Sequence, residues 1–180
     1  EFLGLNVDTR PVLSPAELVA KYDMIMEAAV RHIRQIPDDQ LGGKILDRDR
    51  TYRELTYHIF RIAEALMDTA SGAELTVSYY HDNPPADMQT VEQIASFGDD
   101  VRGRLNAWWE AYPHKNGEAL VNTYFGNKPL HEVLERSTWR SGQHGRQIVM
   151  AMGEFMGIAA DNPLTADDYA GLPMPEKAWD

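Results

Sequence analysis

No cysteine occurs anywhere in the sequence. That absence removes disulfides, a protein thiol nucleophile and thiolate metal ligands, and leaves histidine nitrogen and carboxylate oxygen to hold any metal. It also fits a cytoplasmic chain. No apolar run approaches the roughly 20 residues that a membrane helix needs, and no charged-then-apolar leader opens the chain. Basic residues are few: 17 Lys and Arg stand against 28 Asp and Glu, for a net charge of −11. A surface so acidic repels phosphate backbones and anionic bilayers alike, which argues against nucleic acid and membranes as partners. Internal repeats, low-complexity tracts, a glycine-rich phosphate loop and a nucleophile elbow are missing too.

What remains is the composition of one globular domain. At 180 residues, with 43% hydrophobic and 25% charged residues, the chain can bury a sizeable core without covalent staples. It begins at Glu1 rather than Met, as a piece trimmed from something longer would.

Four helices announce themselves by their start signals. Ser14-Pro15-Ala16-Glu17 combines an N-cap, a proline at the first helical position and a capping-box glutamate. Leu18, Tyr22, Ile25, Ala29 and Ile33 then form an inward stripe that ends before Pro37. Thr51-Tyr52-Arg53-Glu54 opens a second helix, which runs to about Thr69 with Gly72 as terminator and Leu55, His58, Ile59, Ile62 and Leu66 on one face. The third runs from near Thr90 to about Tyr112, burying Val91, Ile94, Val101, Leu105 and Trp108. The fourth starts around Lys128-Pro129 and continues through Phe155 to Gly157.

This pattern predicts an all-α four-helix bundle over residues 14–157, with long loops after helices two and three. Residues 1–13 form an N-terminal arm or the remnant of a preceding domain, and 158–180 an extended C-terminal tail. Thr76–Tyr80 and Ala119–Phe125 are short-strand candidates within the loops.

The fourth helix carries an anomaly. Its inward positions read Leu130, Val133, Leu134, Ser137, Arg140, Ser141, His144, Ile148, Ala151, Met152 and Phe155, so polar groups interrupt the apolar stripe for two turns. His58 falls on the core face of helix two. Bundles build sites from inward side chains on facing helices, and three or four convergent histidine or carboxylate ligands are how such a core holds zinc or nickel. Residue 140 lies one turn before His144, offset by only about 40° around the axis. A histidine at 140 would complete the set, but this chain has arginine.

Tyr52-Arg-Glu-Leu-Thr-Tyr-His58 together with Trp139-Arg-Ser-Gly-Gln-His-Gly-Arg-Gln147 resembles the DinB/YfiT-like superfamily of metal-dependent four-helix bundles. The resemblance covers roughly residues 14–157. It implies one histidine ligand from the second helix, matched by His58, and an H-x-x-x-H pair from the fourth, of which His144 matches the second member and Arg140 stands in place of the first. It further implies a divalent metal such as zinc or nickel, a homodimer, and hydrolase, isomerase or thiol-transferase chemistry with a low-molecular-weight thiol such as mycothiol or bacillithiol. The ending Gly171–Asp180 also looks like bacterial proteins in which such a bundle follows a glutaredoxin-like domain, whose last turn Glu1–Leu5 would be.

Arginine has no lone pair to give and stays protonated, so Arg140 is no metal ligand. Three readings follow. In the first, the fork of Arg140 with Ser137, Ser141 and His144 holds a small anionic or thiol ligand where relatives hold metal. In the second, Arg140 neutralises a buried acid, Glu54 or Glu64, and the chain is a non-catalytic scaffold or dimerisation bundle. In the third, His81 or Asp82 supplies a third ligand from the loop and restores a metal-dependent enzyme. His32 is expected inward and structural, and His131 in solvent. Trp108, Trp109 and Trp139 are expected in core or dimer contacts, and Gly142 and Gly145 at close backbone approaches.

Overall fold

A computed structural model describes residues 10–45 and 48–179. The proposed remnant of a preceding domain at residues 1–5 lies outside the described residues.

The helices form where the caps place them. Helix α1 spans Pro15–Ile33, α2 Tyr52–Ala70, α3 Val91–Ala111 and α4 Leu130–Glu154. Ser14 and Thr51 each accept a backbone N–H at N3 while Glu17 and Glu54 reach back, closing both expected capping boxes. Thr90 and Gln93 form a third at the start of α3. Gly72 and Gly157, both at positive φ, follow the ends of α2 and α4, where a left-handed residue lets the chain turn away.

Each of α1 and α2 packs along both α3 and α4, so consecutive helices α1 and α2 face one another across the bundle diagonal. The core between them is fully buried around Leu18, Tyr22, Ile25, Met26, Ile59, Phe60, Ile94, Leu105, Leu130, Leu134 and Met152. Helices α2 and α3 meet closely at Gly98, where an added Cβ would sit 2.4 Å from the Phe60 ring. Gly142 likewise faces Ile25 and Tyr169 closely, whereas Gly145 has open space around it.

The expectation of a purely helical chain needs correcting. A hairpin, β1 Leu120–Thr123 and β2 Gly126–Pro129, pairs antiparallel from Leu120↔Pro129 to Thr123↔Gly126, and Gly126 supplies the positive φ after the turn. The other candidate strand, Thr76–Tyr80, is instead a 3₁₀ turn over Val77–His81. It is tied to the hairpin by Leu75, whose N–H donates to the Asn122 carbonyl and whose carbonyl accepts from Tyr124 N–H. This arrangement lays Tyr80 and Tyr124 over one side of α2 and α4.

Smaller corrections concern single side chains. Phe155 is 45% exposed rather than inward. Trp108 is half-buried, stacked near Trp109 and Tyr112 at the end of α3. His131 does not face solvent: its Nε2 lies 2.7 Å from the Leu13 carbonyl, joining α4 to the segment ahead of α1. His32 is buried and its Nε2 meets the Asp161 carbonyl at 3.0 Å, a structural role.

Beyond Gly157 the chain runs back over α1 and α4 in a series of turns. Arg31 donates to the carbonyls of Asp161 and Asn162, Lys21 to that of Asp168, and Leu172 is buried.

Candidate functional site

Two histidines from neighbouring helices meet at one end of the bundle. His58 on α2 and His144 on α4 stand edge to face with ring centroids 5.2 Å apart. His58 is buried and His144 half-buried. One nitrogen of each ring, Nδ1 of His58 and Nε2 of His144, is buried without a hydrogen-bond partner. Buried polar atoms are nearly always satisfied, so a pair of orphans on facing rings marks a place where something else is meant to sit.

The charges around the pair are positive. Arg140 lies under the Tyr80 ring at 4.6 Å, and its Nε is buried and unpartnered. Arg50, from the segment that leads into α2, donates to the Tyr80 carbonyl at 2.7 Å. Burial, then the cations Arg50 and Arg140, push His144 down to about 4, against a hydrogen bond from Gln147 that raises it. Burial pushes His58 to about 2, with His144 and the same arginines adding to the effect. Both rings are therefore neutral at neutral pH, each with a lone pair to offer.

Counter-charge is short. Glu54 acts on Arg50 from within its capping box. Glu64 is bonded to Arg104 at 2.6 Å and to Arg61 at 3.4 Å, so neither acid expected to neutralise Arg140 does so. Among the described residues no carboxylate forms an ion pair with Arg140.

A cavity of about 430 Å³ opens beside His144. Among the described residues, Arg48, Arg50, His81 and His144 line it with one carboxylate, Asp49, and Ile45, Leu55 and Trp179 give it an apolar wall. A second cavity of about 230 Å³ lies between α1, α4 and the C-terminal tail, walled mainly by Ile25, Ala28, Val149, Met150 and Leu164. His32, Arg146 and Tyr169 also line it, but His32 already meets the Asp161 carbonyl and Arg146 donates to those of Pro175 and Glu176.

The polar patch read on α4 thus divides. His144 lines the cavity; Arg140 is not among its lining residues but lies under Tyr80 and acts by charge on both histidines. Ser141 is fully buried elsewhere: its hydroxyl donates to the Ile59 carbonyl at 2.9 Å and accepts from the Tyr22 hydroxyl at 3.0 Å. Ser137 borders a crevice of about 10 Å³ under Tyr79 and Tyr80. The residues missed from the sequence are Arg50, Tyr80, Gln147 and Trp179, all but Gln147 from loops or tail where periodicity carries no signal.

The donor set does not match a three-ligand metal site. Among the described residues no three His, Asp or Glu side chains converge on one point. Asp82 is committed to Arg61 at 3.0 Å, and His81 is an exposed residue at the cavity rim. A guanidinium beside the two histidines repels a dication.

No family profile matches the chain, and no curated protein matches it. Among solved structures, the crystal structure of the mycothiol-dependent maleylpyruvate isomerase aligns with a TM-score of 0.52 at 18% identity. The chain shares that protein's fold. The alignment covers 76% of this chain and 61% of the isomerase, so the chain spans less than two thirds of its neighbour's length. No helix among the described residues is long and apolar enough to cross a membrane.

Proposed function

We propose that this chain is a DinB-like bundle whose histidine site has become a receptor for a small organic anion, held where Arg140 and Arg50 face His144. The observation that carries this reading is Arg140 itself: a permanent cation with a buried, unpartnered Nε and, among the described residues, no carboxylate in ion-pair range. A guanidinium in that state gains most from a planar oxyanion that it can grip with two parallel hydrogen bonds. The apolar wall of Ile45, Leu55 and Trp179 suits a ligand with an organic body rather than inorganic phosphate alone.

Carboxylate and thiolate share the required charge. The isomerase of like fold depends on mycothiol, which favours a low-molecular-weight thiol as the second choice of ligand. Paired cations stabilise a thiolate as they do a carboxylate.

Thermal unfolding against a panel of acetate, benzoate, phosphate and small thiols tests the reading. A ligand at 100 times its Kd adds about 2.7 kcal/mol, which lifts the Tm of a chain this size by roughly 5–10 °C. Arg140→Ala should abolish the rise and Arg140→Lys should retain part of it. If no carboxylate or thiol moves Tm more than chloride of equal ionic strength, the receptor reading is wrong.

A further inference from the structure

We infer that Gln147 is a positioning residue: anchored by the C-terminal tail, it holds His144 in the tautomer that carries its proton on Nδ1 and leaves Nε2 as the hydrogen-bond acceptor of the site. The inference rests on the chain's own hydrogen bonds and deepens the receptor reading by saying what the ligand must bring.

The order of causes starts in the tail. Residues 175–179 lie along α4, where Arg146 donates to the carbonyls of Pro175 (2.7 Å) and Glu176 (3.2 Å), and Gln143 Nε2 donates to those of Lys177 (2.9 Å) and Ala178 (2.7 Å). The Trp179 indole N–H points at Met150 Sδ. The Ala178 carbonyl is thereby held in place without help from Gln147.

That carbonyl decides which way the Gln147 amide faces. Gln147 Nε2 lies 2.9 Å from Ala178 O. A carbonyl oxygen only accepts, so the NH₂ group must be the one turned toward it; the reverse would set two oxygens against each other. Gln147 Oε1 is then left facing His144 Nδ1 at 2.8 Å. An amide oxygen also only accepts, so Nδ1 must carry the proton. In a neutral imidazole the other nitrogen then holds the lone pair.

His144 Nε2 is the buried nitrogen without a partner. It asks for a donor, while Arg140 beside it asks for an acceptor. The ligand that satisfies both is an organic acid carrying a hydroxyl or N–H next to its carboxylate, rather than a bare carboxylate. Gln143, Arg146 and Gln147 of α4 bond to the tail, and Gln147 passes that anchorage on to His144.

Long-range ¹H–¹⁵N correlation spectra of the full chain at pH 7, with His144 assigned against a His144→Asn variant, test the inference without any ligand. We expect a single tautomer with a protonated Nδ1 and a bare Nε2. Gln147→Leu should shift both nitrogens toward the averaged positions of a mixed population. A protonated Nε2 in the natural protein, or a pattern unchanged in Gln147→Leu, overturns the inference. Because the readout needs no ligand, a chain that binds no anion refutes the receptor reading and leaves this result standing.

Discussion

The rings of His58 and His144 meet edge to face at 5.2 Å, each with one buried nitrogen unpaired. This contact has a cost that appears in acid. Both rings titrate below their ordinary range in the folded chain, His58 at about 2 and His144 at about 4, chiefly through burial. His32, also buried, is lowered for the same first reason. A folded pKa below the unfolded one means the unfolded chain binds the proton first. The stabilisation is therefore complete above about pH 6.5 and is lost as pH falls below it. His58 alone should cost about 2 kcal/mol at pH 5 relative to pH 7. Urea midpoints at the two pH values measure this, with His58→Leu expected to lose the His58 share of the pH dependence and to keep that of His144. Equal midpoints at pH 5 and pH 7 would contradict the buried-neutral assignment.

Arg140 sits one turn before His144 and separates this site from a histidine triad by one residue. Arg140→His would place a third imidazole beside His58 and His144, and remove the cation that repels a metal. We expect that variant to take up close to one zinc or nickel per chain after dialysis and to gain in Tm on metal addition, by elemental analysis and thermal unfolding. The natural protein should take up far less. If the natural protein and the variant hold metal equally well, a ligand outside the described triad supplies the site, and Arg140 is not what sets its preference.

The two regions differ in how much of them could be read in advance. Helix starts were legible because a cap is a local chemical device: Ser14 with Glu17 and Thr51 with Glu54 sit three residues apart and bond as their spacing requires. His58 and His144 were legible because each breaks an apolar stripe. The short hairpin was only half legible, since β2, Gly-Asn-Lys-Pro, has neither alternation nor a hydrophobic face. Apart from Arg140, the cations and aromatics around the histidines were not legible. Arg50 and Tyr80 come from separate loops joined by the bond from Arg50 to the Tyr80 carbonyl, and the Tyr80 loop is itself held by Leu75 pairing with the hairpin 47 or more positions away, contacts that no local pattern encodes. Ser141 misled because a helix face identifies which way a residue points and not which neighbour it meets.

That neighbour is Tyr22. Its hydroxyl is buried, its pKa is raised by burial, and among the described residues its hydrogen-bond partner is Ser141. Ser141→Ala strands that hydroxyl and should destabilise the chain by about 1–3 kcal/mol. Tyr22→Phe removes the stranded group, so the double variant should be less destabilised than the two single changes added together. Neither change should alter the response to anions. Urea unfolding of the four proteins gives the coupling. Strict additivity would show that the hydroxyls do not act as a pair, and a lost anion response in Ser141→Ala would return Ser141 to the site.

Gly98 offers the sharpest test of the bundle geometry that brings α2 into position. It is buried on α3, and a Cβ there would fall within 2.7 Å of three atoms of the Phe60 ring. Phe60 is itself fully buried against Phe97 and cannot swing outward. On helix propensity alone Gly98→Ala should stabilise α3 by up to about 1 kcal/mol. Overpacking opposes that gain and costs roughly 1–3 kcal/mol, and a contact this short makes it the larger effect. The variant should therefore lose stability, and Phe60→Leu, which shortens the facing side chain, should recover part of the loss in the double variant. Since Phe60 lies two residues beyond His58 on α2, the same strain should also blunt the anion response. A Gly98→Ala protein more stable than the natural one would mean that α2 and α3 lie farther apart than this close contact requires.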